Sequence, residues 1–402
     1  MLNYIQDHLY IKQFLLLYIV LSQERINDIG LGILSIIIFT AFIGISVPPA
    51  HAEVTKAALV MDASIDDIGW GTSHHQGLLA LEEKLGYEVS LSEKTPPAEW
   101  ETTTRDYAER GYKYVIMGGA QFTDLTKKIA PDYPNTTFLV VAAVPPFDSP
   151  YPANMIGVDM MNEQSGYLAG ILAGGMTKSN IVGSVQGIDY PDVIRWNEAF
   201  KLGVLTQNPQ ATVLEVYTGS WDDLSKGYEA TKGQMDAGAD VIWQYLDLGA
   251  VGAAKAVKEN PDVWLISNTN DQSFLAPDVT LSSALQGIPT LILQGVEKHE
   301  AGIIKGGEFY RWGINEGVSG LAPYHETESK IPSALKSKIA EIKNQMMEGT
   351  FVVPEIYDKQ GYKNFLETPV AEAEAAQPEA EGGGCLIATA AFGSEMAPQV
   401  QF

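Results

Sequence analysis

The chain has 402 residues, 46% hydrophobic and 19% charged, with a formal net charge of -24. This is a globular balance in a chain longer than one hydrophobic core usually holds, so two lobes are expected. Such an acidic surface repels a phosphate backbone and excludes a nucleic-acid partner. The single cysteine, Cys385, excludes an intramolecular disulfide and a thiolate zinc site.

In chain order, the first feature is an almost wholly apolar run from Ile29 to Ser46, preceded by Arg25 and followed by Pro48-Pro49-Ala50-His51-Ala52. Small residues at Ala50 and Ala52 fit a signal-peptidase site, with Glu53 the first mature residue. The run is also close to spanning length, so an uncleaved anchor is the alternative. Residues 1–52 therefore read as a signal peptide or an N-terminal membrane segment, and either one exports the rest to the cell surface or periplasm. A second apolar stretch, Leu9 to Leu21, precedes it. No cysteine follows the run, which closes the lipid-anchor route.

From Lys56 the pattern becomes alternating α/β. Residues 56–61 (Lys-Ala-Ala-Leu-Val-Met) form the short apolar run of a buried parallel strand. A polar loop over 62–71 leads to helical spacing over 72–85, with Gly86 as its stop. Further strands are expected at 114–117, 137–143, 155–158, 181–185, 212–216, 240–245, 264–267 and 280–285. Helices are expected at 164–176 and 192–203, and Asp222 or Asp223 is placed to cap another. Strands alternating with helices imply parallel sheets wrapped on both faces. Ligands of such sheets sit beyond the carboxyl ends of the strands. That rule selects the loops 62–70, 118–124, 143–147, 186–191, 245–249 and 268–272.

Residues 367–384 are acidic, contain Pro and Gly, lack aromatics, and read as a solvated linker. Residues 385–402 begin with the small apolar Cys385-Leu-Ile-Ala-Thr-Ala-Ala-Phe-Gly-Ser394, which does not belong to a globular core. This stretch resembles a tail module of exported archaeal and bacterial proteins. That module is commonly followed by membrane-spanning segments, so a chain ending at Phe402 reads as truncated there.

Four stretches carry a wider resemblance: Gly166-Tyr-Leu-Ala-Gly-Ile-Leu-Ala-Gly-Gly-Met-Thr-Lys178, Tyr217-Thr-Gly-Ser-Trp-Asp222, Gly238-Ala-Asp-Val-Ile242 and Gly317-Val-Ser-Gly-Leu-Ala-Pro323. In this order and spacing, from about Lys56 to Pro354, the chain resembles the basic-membrane-protein family of ABC-transporter receptors, which includes purine nucleoside receptors. The resemblance implies the type I periplasmic-binding-protein fold: two Rossmann-like α/β lobes with parallel sheets, joined by hinge strands. The solute-binding domain is expected over 53–366. Its first lobe is expected at about 53–160 plus 275–320, and its second at about 161–274 plus 321–366.

The resemblance also implies a site. A nucleoside-like solute needs an aromatic face, amides or carboxylates for its polar edges, and an apolar wall. Asp67 matches the aspartate of the family's first loop, Trp70 takes the place of its phenylalanine, and Gly71 stands where the family has asparagine. Tyr245 and Asp247 occupy the loop that covers the ligand's other side. Asp271 is the expected carboxylate for ribose hydroxyls, with Asn268 and Asn270 as rivals in register and helix capping as the alternative. Gln121 and Asp124 either face the ligand or cap the helix near Leu125. Gln286 replaces the family's lysine. The losses at 71 and 286 weaken the nucleoside assignment but not the receptor assignment.

No metal or cofactor is expected. His74 and His75 diverge by about 100° on a helix and cannot share a metal on one face. The pairs Asp66-Asp67 and Asp222-Asp223 lack EF-hand spacing and suit helix caps. Nucleophile, zinc-protease, phosphate-loop and dinucleotide motifs are absent, which argues against an enzyme, including a nucleoside hydrolase. The expected partners are a small polar ligand and an ABC permease, with membrane association if the N-terminal segment is retained. A ligand-sensing surface domain is the alternative, although the chain carries no kinase or coiled-coil segment.

Overall fold

A computed structural model describes residues 54–354. The N-terminal segment 1–52, the linker 367–384 and the Cys385 stretch lie outside the described residues. The first half supplies β1 (Lys56–Val60), α1 (Trp70–Leu85), β2 (Glu88–Ser92), α2 (Trp100–Glu109), β3 (Tyr114–Gly118), α3 (Thr123–Ile129), β4 (Thr137–Val141) and β5 (Met155–Met160). The second half supplies α4 (Asn162–Met176), β6 (Ile181–Gln186), α5 (Pro191–Gln207), β7 (Thr212–Tyr217), α6 (Leu224–Asp236), β8 (Val241–Tyr245), α7 (Ala250–Lys258), β9 (Trp264–Thr269) and β10 (Thr280–Gln286). Then come α8 (Ile288–Glu300), β11 (Phe309–Trp312), β12 (Ser319–Leu321) and α9 (Ser333–Glu348).

The strands form two six-stranded sheets, in the orders β11-β5-β4-β3-β1-β2 and β12-β10-β9-β8-β6-β7. All pairings are parallel except β10 with β12. The period of two along a strand explains why the apolar runs are continuous. In β1, Leu59 packs with Leu78, Leu81 and Ile292 on one face. Its neighbours Ala58 and Val60 pack with Trp100, Tyr107 and Phe122 on the other. The second sheet repeats this arrangement: Val241, Trp243 and Tyr245 face one core and Ile242 the other. The result is the two-lobed α/β fold expected from the sequence.

One boundary differs. β10 pairs with β9 in register, Ser283 opposite Ser267 and Ala284 opposite Asn268, so it belongs to the second sheet. The division expected at 275 therefore moves to Gln286–Gly287. The following helix, α8, returns to the first lobe and buries Leu291 and Ile292 against α1. β12, expected in the first lobe up to residue 320, also closes the second sheet, because it is hydrogen-bonded to β10.

The chain crosses between lobes after β5, after β10 and after β11. At this hinge Arg195 of α5 grips Asp159 of β5 at 2.7 and 3.0 Å, and Arg311 of β11 reaches Glu163 of α4 at 2.8 Å. The Gly-rich α4 lies directly on α5. A Cβ at Gly170 would stand 2.1 Å from the Phe200 carbonyl oxygen, so the helices meet backbone to backbone.

Candidate functional site

The loop after β1 is built around one carboxylate. Asp67 Oδ1 accepts from the Gly69 and Thr72 amides at 2.9 and 3.0 Å, and Oδ2 accepts from the Gly71 amide at 2.6 Å. These are the otherwise unpaired first-turn donors of α1. The cap fixes Trp70 at the first position of the helix. Its indole Nε1 donates to the Gly118 carbonyl at 3.2 Å, and its ring lies 4.5 Å from that of His74. Burial pushes the His74 imidazole down to about 4, so that ring is neutral at physiological pH.

The facing wall comes from the second lobe. Tyr245 ends β8 and is buried, with its ring 4.6 Å from Trp196 and 5.2 Å from Trp221. Trp221 lies close over Gly187, where a Cβ would stand 2.2 Å from the indole. Tyr190 extends this aromatic wall at 6.1 Å from Trp221.

Asp247 joins the two walls. It is only 7% exposed, and its Oδ1 accepts the Trp70 amide of the other lobe at 2.9 Å. Nearby, the side-chain amides of Asn270 and Gln272 both donate to the Ile68 carbonyl at 3.2 Å. Ile68 and Thr269 hold the left-handed backbone conformation at φ 58 and 61. That conformation is costly for β-branched residues, and here it sits where the lobes touch.

The space between the two walls measures 350 Å³. Trp70, Gln121, Asp67, Tyr245 and Asp247 line it. So do Asp62, Trp100, Tyr190, Asp192, Trp221 and Asp222. Burial, reinforced by repulsion from Asp67, holds the Asp247 carboxyl well above the ordinary carboxylate range. Burial also raises Asp67 against its three amide bonds, and raises Asp192 against the attraction of Arg195. The phenol of Tyr245 is likewise raised by burial.

The family model of PnrA-like ABC transporter substrate-binding proteins, Bmp, matches residues 54–357. The chain belongs to the Bmp family. Its members are substrate-binding receptors of ABC transporters, not enzymes. Basic membrane protein A1 of Borrelia garinii subsp. bavariensis is 24% identical over 319 residues, covering 79% of this chain and 93% of that protein. A purine-binding protein of Brucella abortus is 25% identical over 299 residues, covering 73% of this chain and 83% of that protein. A solute-binding protein of an Aeropyrum pernix K1 ABC transporter system shares the fold, with a TM-score of 0.67 at 20% identity over 80% of this chain and 98% of that one.

Within this Bmp-family cleft the expected residues separate. Asp67, Trp70, Gln121, Tyr245 and Asp247 come together, and Gln121 donates to Asp62 at 2.9 Å. Asp124 does not join them: it is exposed in the first turn of α3 and pairs with Lys127 at 3.4 Å. Asn268 is fully buried, donates to the Gln244 carbonyl at 2.5 Å, and belongs to the core. Asp271 bonds the Ser273 amide at 3.1 Å and His325 at 2.5 Å, away from the cavity lining. Gln286 sits behind the lining, its amide 3.5 Å from the Tyr245 hydroxyl. The sequence reading named the loops of Asp62 and Tyr190 without singling out those residues. It did not expect β2, whose following loop brings Lys94, and it used the Tyr217–Asp222 turn after β7 only for the family resemblance, without assigning Trp221 to the site. Applying the strand-end rule to every strand finds both.

Proposed function

We propose that the protein is an exported receptor that captures a small polar solute with a planar ring and delivers it to an ABC permease. A nucleoside is the first candidate ligand. The observation that carries this reading is a cavity of 350 Å³ lined by aromatic rings from both lobes, with the Asp247–Trp70 hydrogen bond crossing between them. The volume lies in the range of small-molecule sites. The purine-binding relative supports a ring-bearing ligand.

The mechanism is hinge closure. The open lobes admit the solute to the Trp70 side, and rotation brings Tyr245 and Trp221 over its other face. The Asp247 and Asn270 contacts then hold the closed form that a permease reads. No bond in the solute is made or broken.

A thermal-shift screen of nucleosides, bases, sugars and amino acids tests the reading, because a ligand of the native state raises the melting temperature by mass action. A planar solute should give the largest shift, and Trp70→Ala should abolish it while the unliganded variant stays folded. An undiminished response in that variant removes Trp70 from the site.

A further inference from the structure

The cleft's charge is lopsided. Asp62, Asp67, Asp192, Asp222 and Asp247 line it, against one cation, the exposed Lys94. Several of these acids have structural partners. Asp67 is held by three amides, Asp62 accepts from Gln121, and Asp222 Oδ1 accepts the Leu248 amide at 3.3 Å.

Asp247 is different. It is more than nine-tenths buried, faces the cavity, and bonds the Trp70 amide through Oδ1 only, so Oδ2 meets no hydrogen-bond donor among the described residues. No Lys, Arg or His forms an ion pair with Asp247 or Asp192 among the described residues. Both carboxylates lie within electrostatic range of the Tyr245 hydroxyl, which is itself buried at the cavity wall. The same wall presents the rings of Trp221 and Tyr245, 5.2 Å apart.

A neutral solute would leave Asp247 desolvated with the Trp70 amide as its one hydrogen bond, and Asp192 with only the more distant attraction of Arg195, which is costly for a buried carboxylate. A cation placed against them would replace the missing water, and aromatic faces attract the same charge.

We propose that the preferred solute carries a positive charge on or beside its planar ring, set between Asp247 and Asp192 against the Trp221–Tyr245 wall. This inference rests on the cleft being the solute site and narrows the ligand to a cationic, ring-bearing compound. It also accounts for the glutamine at 286: a lysine there, beside Tyr245, would repel such a ligand. Burial raises the proton affinity of Asp247, and a cation set beside it should lower that affinity, so binding should release protons.

The test compares matched ligands on the full-length protein by calorimetry at pH 7: 1-methyladenosine against adenosine, and nicotinamide riboside against inosine. The charged member of each pair should bind about tenfold tighter or more, with affinity falling as salt rises. In two buffers of different ionisation enthalpy, its apparent heat should differ, reporting proton release. Asp247→Asn, which keeps the side chain's shape and the oxygen facing Trp70, should erase the preference, bringing the charged and neutral members of each pair to equal affinity. Asp192→Asn repeats the test should that variant not fold, and the wild-type comparison needs neither variant. Equal or tighter binding of the neutral members, still abolished by Trp70→Ala, overturns the charge preference and leaves the receptor reading standing. A protein that binds no ring-bearing solute of either charge overturns both.

Discussion

Two loops in this molecule occupy equivalent places, each just past the carboxyl end of a parallel strand, and they do different work. The loop after β1 turns its Trp70 toward the cavity. The loop after β9 turns its polar groups onto the first loop: Asn270 and Gln272 hold the Ile68 carbonyl, and Asn270 also approaches Ser73 Oγ at 3.3 Å. The strand-end rule locates where function can sit. It does not decide which loop meets the solute and which meets the opposing lobe.

The sharpest way to break this comparison is Gly69→Ala. A Cβ there would stand 2.0 Å from Asp247 Oδ1, on the contact that closure makes and the open form does not need. Overpacking of this kind costs about 1–3 kcal/mol, so ligand affinity should fall by roughly ten- to a hundredfold. The unliganded melting temperature should change little, because each lobe keeps its own core. A variant that binds normally would show that the lobes close differently.

Next in size is the paired variant Asn270→Ala with Gln272→Ala. Each lost hydrogen bond is worth about 1 kcal/mol, which together weaken every ligand by roughly tenfold or more without reordering their ranking. Reordering in a binding series would mean that these residues touch the solute.

Asp247→Asn probes the other wall through pH. The Asp247 carboxyl is raised in the native state, so the native protein binds more protons than the unfolded chain above the ordinary value of 3.8. Its contribution therefore makes stability fall as pH rises. Removing the charge should raise the unliganded melting temperature, more at pH 8 than at pH 5. An equal gain at both values would show that Asp247 is not strained by its charge.

The smallest effect is expected from Asp271→Asn. Burial raises the Asp271 carboxyl, but the hydrogen bonds from His325 and Ser273 outweigh it and leave its proton affinity lowered. The wild type should thus hold a slight advantage in melting temperature above the ordinary value of 3.8, and lose it as acid protonates Asp271. Ligand affinity should not change.

Much of this architecture was legible in the sequence because parallel strands covered on both faces must be short and apolar, as β1 and β8 are. Asp67 and Trp70 lie in a loop that the strand-end rule selects, and the family resemblance singled them out within it. Asp271 and Asn268 were harder. An asparagine in a loop can face a ligand or bond a neighbouring strand's carbonyl, and only the pairing of β8 with β9 decides that for Asn268. The placement of β10 was equally hidden, because membership of a sheet depends on a partner far away in the chain.

The three crossings at the hinge have a consequence for how the protein comes to exist. The first lobe's sheet is incomplete until β11 is available, and α1 stays uncovered until α8 arrives, 128 residues beyond Met160, where the main body of the first sheet ends. A chain emerging N-terminus first must therefore carry an unfinished, sticky first lobe while the whole second lobe is made. Maturation waits for the last quarter of the described sequence.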